Sequence, residues 1–257
     1  MIELPAMVCR RPLAAIALLV LSLTACGGTD DPGSGGTVTV LGAASLTDAL
    51  AEVAEAFQAA HGGVEVELTF GGSSRLATSI VEGVPADVFA SADEANLQKV
   101  VDEGLAGGAA TVFATNVLQI VVGEGNPLGI TGLEDLTGAD VVLSLCKGDV
   151  PCGKYADQAF EHAGLEVPSA GEEDSVKGVL TKVMLGEADA GLVYVTDVLA
   201  AAGVEGVDLA ASQMVRATYP AAVLTDAPNP AAAAAFVAFL TGDEAQVILE
   251  TYGFGRP

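Results

Sequence analysis

Basic side chains are scarce in this sequence of 257 residues. Ten lysines and arginines stand against 34 aspartates and glutamates, which gives a net charge of −24 at pH 7. Such a surface would repel a phosphate backbone, so we expect no nucleic-acid partner. Histidine is rarer still, because His61 and His162 stand far apart with no cysteine or second histidine at metal-ligand spacing. This disfavours a histidine-based zinc site or catalytic triad, and we expect no enzymatic activity, no cofactor and no free metal ion.

No apolar run near the N-terminus is long enough to span a bilayer. Residues 13–23 are apolar and follow Arg10 and Arg11, but a spanning helix needs about 20 residues. The pattern predicts a signal peptide over residues 1–25. Its end, Leu23-Thr24-Ala25-Cys26, resembles the lipobox of bacterial lipoproteins, which would make Cys26 the lipidated first residue. An ordinary secretory cleavage site is the alternative, and both interpretations export the protein.

The glycine-rich stretch 26–36 that follows predicts a flexible tether between the membrane and the folded body. Of the four cysteines, Cys9 lies in the predicted signal peptide and Cys26 is the predicted lipidation site. Cys146 and Cys152 remain in an oxidising compartment, where we expect a disulfide. Unlinked thiols are the alternative. Five residues separate the pair, whereas redox-active pairs usually have two, so an exported thiol oxidoreductase is disfavoured.

The remaining chain alternates short β-rich runs with amphipathic stretches at helical spacing, which predicts an α/β fold. The predicted strands are residues 37–41, 64–70, 88–90, 117–122, 141–145, 190–195 and 219–224. The predicted helices are residues 46–60, 73–82, 96–103, 154–163, 176–185, 231–240 and 243–252. Two crossings, near residues 117–122 and 217–223, would divide the chain into two lobes with a cleft between them. We therefore expect a first lobe of residues 37–117 and 222–257 and a second lobe of residues 118–221.

Several short motifs, in order along residues 37–256, resemble the molybdate-binding component of a bacterial ABC transporter. They are Val40–Leu46, Phe70–Ser74, Pro85–Asp93, Val193–Tyr194 and Tyr252–Phe254. The resemblance implies a type II periplasmic binding protein fold whose lobes are joined by a two-crossing hinge. It also implies that molybdate or tungstate is held between the lobes.

The resemblance further implies five ligand contacts. These are the side chains of Ser45, Ser73 and Tyr194 and the backbone N–H groups of Cys152 and Val176. Cys152 departs from the family pattern, in which alanine is frequent at this position. A backbone donor does not depend on the side chain, so the contact survives if a disulfide to Cys146 leaves the turn in place.

Four of these positions stand where a helix is predicted to begin. Helix N-termini offer unpaired N–H groups and about half a positive charge each, so four of them supply about +2. That matches a dianion without any lysine or arginine, even in an acidic protein, because distant surface charges are screened beyond about 8 Å. Arg75 is then interpreted as a structural cation, paired with Asp87, and not as a ligand.

Taken together, the sequence predicts a monomeric, extracytoplasmic, lipid-anchored receptor that captures molybdate and tungstate for an ABC-transporter permease. A sulfate or thiosulfate receptor of the same fold is the nearest alternative, because cavity size decides between these anions. A sensor domain that reports the ligand to a partner is a further alternative. A ferric-iron receptor is disfavoured, since the four tyrosines are dispersed and do not form a Tyr-Tyr pair.

Overall fold

The computed structural model describes Met1 and residues 35–166 and 172–257. Apart from Met1, the predicted signal peptide lies outside these ranges, as do Cys26 and nearly all of the predicted tether. The tether prediction extends slightly too far, because Gly36 already belongs to the first strand and its N–H donates to the carbonyl of Gly63 at 3.2 Å.

The described residues form an α/β structure around a mixed sheet. The strands are β1 (Gly36–Ala43), β2 (Val64–Gly71), β3 (Val88–Ala90), β4 (Thr111–Gly123), β5 (Leu143–Ser144), β6 (Ala190–Tyr194), β7 (Val204–Asp208) and β8 (Arg216–Val223). They lie in the order β2-β1-β3-β8-β4-β6-β5, with β7 also paired to β4. The β1–β2, β1–β3 and β5–β6 pairs are parallel, and the pairs that involve β4 or β8 are antiparallel.

Helices follow most of the strands. They are α1 (Thr47–Ala60), α2 (Ser73–Val81), α3 (Glu94–Asp102), α4 (Pro151–Ala163), α5 (Val176–Met184), α6 (Val195–Leu199), α7 (Pro230–Leu240) and α8 (Asp243–Thr251). Short 3₁₀ turns cover Ala44–Leu46 and Leu133–Thr137. Within the described ranges no single helix is long and apolar enough to cross a membrane; α7 and α8 satisfy that criterion only jointly, with a 60° bend between them.

Strand β4 joins the two halves of the sheet. It pairs with β8 over residues 111–117 and then with β6 and β7 over residues 118–123. Strand β8 pairs with both β3 and β4. From Arg216 onward the chain therefore lies in the same part of the sheet as β1, β2 and β3. The assignment of residues to two lobes stays a prediction, and its boundary at residue 221 falls inside β8.

The helices form where the sequence places apolar faces and caps. In α1, a buried stripe ends in Phe57, whose ring meets that of Phe236 in α7 edge-on at 5.1 Å. Burying one such side chain contributes about 1.5–3 kcal/mol. Two helix starts are capped by side chains, since Asp93 accepts from the N–H of Asn96 and Ser175 from that of Gly178.

The main differences from the predicted elements have local causes. Strand β4 begins at Thr111 and not at residue 117, because residues 111–117 pair with β8. Four consecutive residues of this half, 113–116, are buried, so it lacks the alternation that would predict a strand. Helix α4 begins at Pro151, whose fixed φ suits a first helical position, and not at residue 154. Helix α6 and strand β7 were not predicted; α6 is only five residues long, and β7 is half exposed with weak alternation.

Candidate anion-binding site

A single cavity is lined by all five residues predicted to contact the ligand. Its volume is about 10 Å³, the room that about one water molecule occupies, so a larger solute needs the lining to move apart. No charged side chain is among the twelve described residues of its lining, which are Ala43, Ala44, Ser45, Gly71, Gly72, Ser73, Ala92, Val150, Pro151, Cys152, Val176 and Tyr194. The described lining therefore offers neutral dipoles, and no charged side chain, to a solute.

The two predicted serines are buried and already have protein partners. Ser45 lies in the 3₁₀ turn that leads from β1 into α1, and its Oγ lies 2.9 Å from the hydroxyl oxygen of Tyr219. Ser73 is the first residue of α2, and its Oγ accepts a hydrogen bond from the N–H of Ala92 at 3.0 Å. Because this bond uses a lone pair of Ser73, its hydroxyl hydrogen stays available to a ligand.

Two further helix N-termini complete the lining. Cys152 lies in the first turn of α4, after Pro151, and Val176 is the first residue of α5. Backbone N–H groups in a first helical turn have no intrahelical acceptor, so these two residues offer donors whatever their side chains are. Cys146 and Cys152 form a disulfide, and Cys152 keeps its place in the lining and in the helix.

Tyr194, at the end of β6, supplies the most informative atom of the site. The residue is 1% exposed, and its hydroxyl oxygen is buried without a hydrogen-bond partner among the described residues. An unpaired buried hydroxyl costs about 1–3 kcal/mol, so such a group normally serves a bound partner. Burial raises the pKa of this phenol well above its usual range, and the group is therefore a neutral O–H donor.

Two lysines lie close in the chain to lining residues but are absent from the described lining, and both pair with carboxylates. Lys154 in α4 lies 3.7 Å from Asp93, and Lys177 in α5 lies 3.4 Å from both Asp48 and Asp197. These ion pairs partly neutralise the cations next to the site. The positive potential inside the cavity therefore comes mainly from the helix N-termini.

Asp197 is the buried partner of Lys177. Its side chain is fully buried, and one carboxylate oxygen accepts from the backbone N–H of Tyr194 at 3.2 Å. Burial raises its pKa to about 6, while the charge of Lys177 acts in the opposite direction. The carboxylate thus fixes the backbone that carries Tyr194.

Arg75 is absent from the described lining, in agreement with its interpretation as a structural cation, but its predicted pairing with Asp87 is wrong. The carboxylate of Asp87 instead accepts backbone N–H groups from Thr39 at 2.8 Å and Asn229 at 2.6 Å. Arg75 acts on Asp174, whose pKa is held low first by Lys147 and, more weakly, by the Arg75 charge. Local spacing could not reveal this, because Asn229 is 142 residues away from Asp87.

The comparisons with known proteins agree with this geometry. A family model described as bacterial extracellular solute-binding protein matches residues 38–255. The chain belongs to this family. Molybdate-binding protein ModA of Mycobacterium tuberculosis (strain H37Rv) is 40% identical over 249 residues, which cover 94% of this chain and 95% of the relative. The Escherichia coli ModA is 33% identical and is matched over 85% and 89% of the two chains.

Solved structures share the fold of this solute-binding protein. The periplasmic molybdate-binding protein of Azotobacter vinelandii superposes with a TM-score of 0.74 at 23% identity, over 86% of this chain and 99% of that one. The sulfate-binding protein SubI of Mycobacterium tuberculosis gives a TM-score of 0.76 at 19% identity, over 85% and 86%. These likenesses confirm the predicted α/β periplasmic-binding fold. Membership of a family of solute-binding proteins also confirms the prediction that the chain is not an enzyme.

Sequence reasoning missed three residues of this solute-binding protein that shape the site. Tyr219 contacts Ser45 across 174 residues, and Asp197 holds Tyr194 from within an unpredicted helix. Position 72 must be glycine because the backbone of Asp174 lies against it: a Cβ at that position would lie 1.9 Å from the carbonyl oxygen of Asp174. Only the Gly71-Gly72 pair gave a local signal, since consecutive glycines often mark such an approach.

Proposed function

We propose that this protein is the molybdate-binding component of an ABC transporter, holding the dianion in the cavity lined by Ser45, Ser73, Cys152, Val176 and Tyr194. The observation that carries the proposal is the buried hydroxyl of Tyr194, which has no hydrogen-bond partner among the described residues, in a cavity whose described lining holds no charged side chain. The proposal is also supported by the ModA relatives, which match this chain over nearly its full length.

The donors of the cavity suit a doubly charged, fully deprotonated oxyanion. Three hydroxyls and the first-turn N–H groups of α2, α4 and α5 can point inward, and each hydrogen bond to a charged group contributes about 1.5–3 kcal/mol. These three helices have nine or more residues each, so their combined dipoles offer about +1.5, whereas Ser45 lies in a 3₁₀ turn ahead of α1. Lys154 and Lys177 are absent from the described lining and pair with three carboxylates, so they add no net positive charge to the site.

The same donor set discriminates against phosphate. At neutral pH phosphate keeps at least one proton and needs an acceptor for it. No carboxylate lies among the described lining residues, so a protonated oxyanion finds no charged acceptor there. A protonated oxyanion would therefore leave its own donor unpaired, at a cost of about 1–3 kcal/mol.

Tungstate has the charge and shape of molybdate, and we propose that it binds as well. Sulfate has the same charge but is smaller, and a fold match to a sulfate-binding protein over 85% of this chain makes it the second candidate. The sequence match to a sulfate-binding protein of Synechococcus elongatus covers only 46% of this chain, whereas the ModA matches cover most of it. This difference favours molybdate.

We further propose that the protein acts as a monomer outside the cytoplasm, anchored through a lipid on Cys26, and delivers its ligand to a membrane permease. The support is the sequence Leu23–Cys26 and the 31% identical Bacillus subtilis protein YvgL, which is named as a substrate-binding lipoprotein of an ABC transporter. The change Cys26→Ser should release soluble protein with unchanged ligand affinity. Persistent membrane association of that variant would contradict the lipid anchor.

Titration calorimetry tests the ligand. The chain from residue 27 onward is titrated with molybdate, tungstate, sulfate and phosphate at pH 7.5 in the same buffer. We expect tight binding of molybdate and tungstate, weaker binding of sulfate and much weaker but measurable binding of phosphate. A preference for sulfate would replace the proposed ligand, and binding of phosphate as tight as that of molybdate would contradict the donor-only site.

A further inference from the structure

Tyr219 lies directly behind the site without being part of its described lining. Its hydroxyl oxygen is 2.9 Å from Oγ of Ser45, and the residue has no exposed surface. The ring is held edge-on between Phe254 at 5.3 Å and Tyr194 at 6.0 Å. It stands on β8, opposite Ala114 of β4, where the two halves of the sheet meet. Its hydroxyl is therefore in a rigid position.

The hydrogen bond between Tyr219 and Ser45 can run in either direction in the free protein. An anion in the cavity removes this freedom, because the only favourable role for Ser45 toward an anion is that of donor. Ser45 has one hydroxyl hydrogen, so Tyr219 must then be the donor to Ser45. Burial raises the pKa of Tyr219 well above its usual range, so its hydroxyl keeps the hydrogen that this role requires.

We propose that Tyr219 is a positioning residue of the anion site: its hydroxyl donates to Oγ of Ser45 and so turns the hydrogen of Ser45 toward the cavity. The inference rests on the proposed function, since it assumes that an anion occupies the cavity. Ser73 is arranged in the same way, with the N–H of Ala92 as the donor to its Oγ. Both serines then face the ligand as donors.

This arrangement also affects selectivity. In a Tyr219→Phe variant, the hydroxyl hydrogen of Ser45 is no longer held toward the cavity, so Ser45 can rotate and present a lone pair to the ligand instead. The variant should bind molybdate more weakly, by about 3- to 10-fold, as expected for the loss of one net hydrogen bond. Phosphate, which needs an acceptor, should lose less or gain, so the ratio of molybdate to phosphate affinity should fall. A residue that merely fills space would not change that ratio.

A double-mutant cycle tests the coupling. Molybdate affinity is measured by calorimetry for the wild type, Tyr219→Phe, Ser45→Ala and the double variant. We expect the loss from Tyr219→Phe to shrink to less than about twofold once Ser45 is alanine, because the two residues then no longer act together. The matched control is Tyr252→Phe, which removes a phenolic hydroxyl bonded to Glu52 at 2.8 Å, and it should bind like the wild type.

Equal losses in both backgrounds, or no loss in either, would overturn the positioning role. Crystal structures of ligand-free wild type and Tyr219→Phe give a readout that does not need molybdate. Ser45 should occupy one rotamer in the wild type and several in the variant, and an unchanged single rotamer would also overturn the role. If the wild type fails to bind molybdate while Ser45 still loses its rotamer, the proposed function fails and the positioning contact stands.

Discussion

Replacing Tyr194 by phenylalanine should change ligand affinity and ligand-free stability in different ways. The substitution removes one oxygen and leaves the ring, which packs against Tyr219. That oxygen is buried and has no hydrogen-bond partner among the described residues. Its removal therefore breaks no described contact in the free protein.

The size of each effect follows from this position. In the complex the hydroxyl would donate to a charged oxygen, and such a bond contributes about 1.5–3 kcal/mol, or about 10- to 150-fold in affinity. In the free protein the unpaired hydroxyl costs about 1–3 kcal/mol while it stays buried. Tyr194→Phe should therefore weaken molybdate binding strongly and should not lower the ligand-free stability.

Two measurements check this expectation. Calorimetry gives the affinity, and urea denaturation of the ligand-free protein gives the free energy of unfolding. Tyr252→Phe is the control and should leave molybdate affinity unchanged, because its hydroxyl bonds an exposed carboxylate outside the cavity. Since the pKa of Tyr194 is raised well above its usual range, the effect of the substitution on affinity should not vary between pH 6 and pH 9.

Two results would refute the reasoning. An affinity equal to that of the wild type would mean that the hydroxyl does not touch the ligand. A ligand-free protein destabilised by 2 kcal/mol or so would mean that the hydroxyl has a protein partner, because a lost hydrogen bond has about that cost. In either case Tyr194 would be a structural tyrosine and the cavity would need another donor.

Three further changes test other parts of the structure. Gly72→Ala should lower molybdate affinity at least about tenfold, since its Cβ would collide with the carbonyl oxygen of Asp174. The control is Gly62→Ala, whose Cβ would meet no atom within 4 Å, and calorimetry should show normal binding for it. The raised pKa of Asp197, about 6 against an ordinary 3.8, means that only the folded state holds this proton between pH 4 and 6. This proton stabilises the folded protein near pH 4, and the stabilisation, roughly 3 kcal/mol at most, is lost as the pH rises through 6. The free energy of unfolding of Asp197→Asn, measured by urea denaturation, should not fall with pH in this range. Reduction of the disulfide, which closes a short loop, should lower the free energy of unfolding by about 2–2.5 kcal/mol. It should change molybdate affinity by no more than about twofold, and a large loss of affinity would mean that the disulfide is part of the site.

Much of the fold could be predicted because its signals are local. Alternating strand and helix patterns placed β1, β2 and β3 and most helices within a few residues of their observed bounds. The starts of α2 and α5 coincide with the predicted starts at Ser73 and Val176, since a glycine or serine before an apolar helical face marks a helix N-terminus. The first half of β4 was missed because a run that is buried on both faces lacks alternation.

The site residues were predicted from the resemblance to molybdate-binding components. Local signals added that Ser45, Ser73, Cys152 and Val176 stand at or just before predicted helix starts, and the structure places all four with Tyr194 around one cavity. Their contact with a ligand stays a prediction. Tyr219 could not be found in this way, because its position behind Ser45 depends on the pairing of β8 with both β3 and β4.

The amino-acid sequence by itself determined the alternation of strands and helices, the acidic surface and the helix ends that supply N–H donors, because each depends on composition or on residues a few positions apart. The tertiary structure alone decided which helix ends converge, that Lys154 and Lys177 form ion pairs outside the described lining, and that the hydroxyl of Tyr194 has no hydrogen-bond partner among the described residues. Those features depend on contacts between residues far apart in the chain, and a hydrogen bond or a desolvated charge exists only once both partners have been brought within a few ångströms of each other.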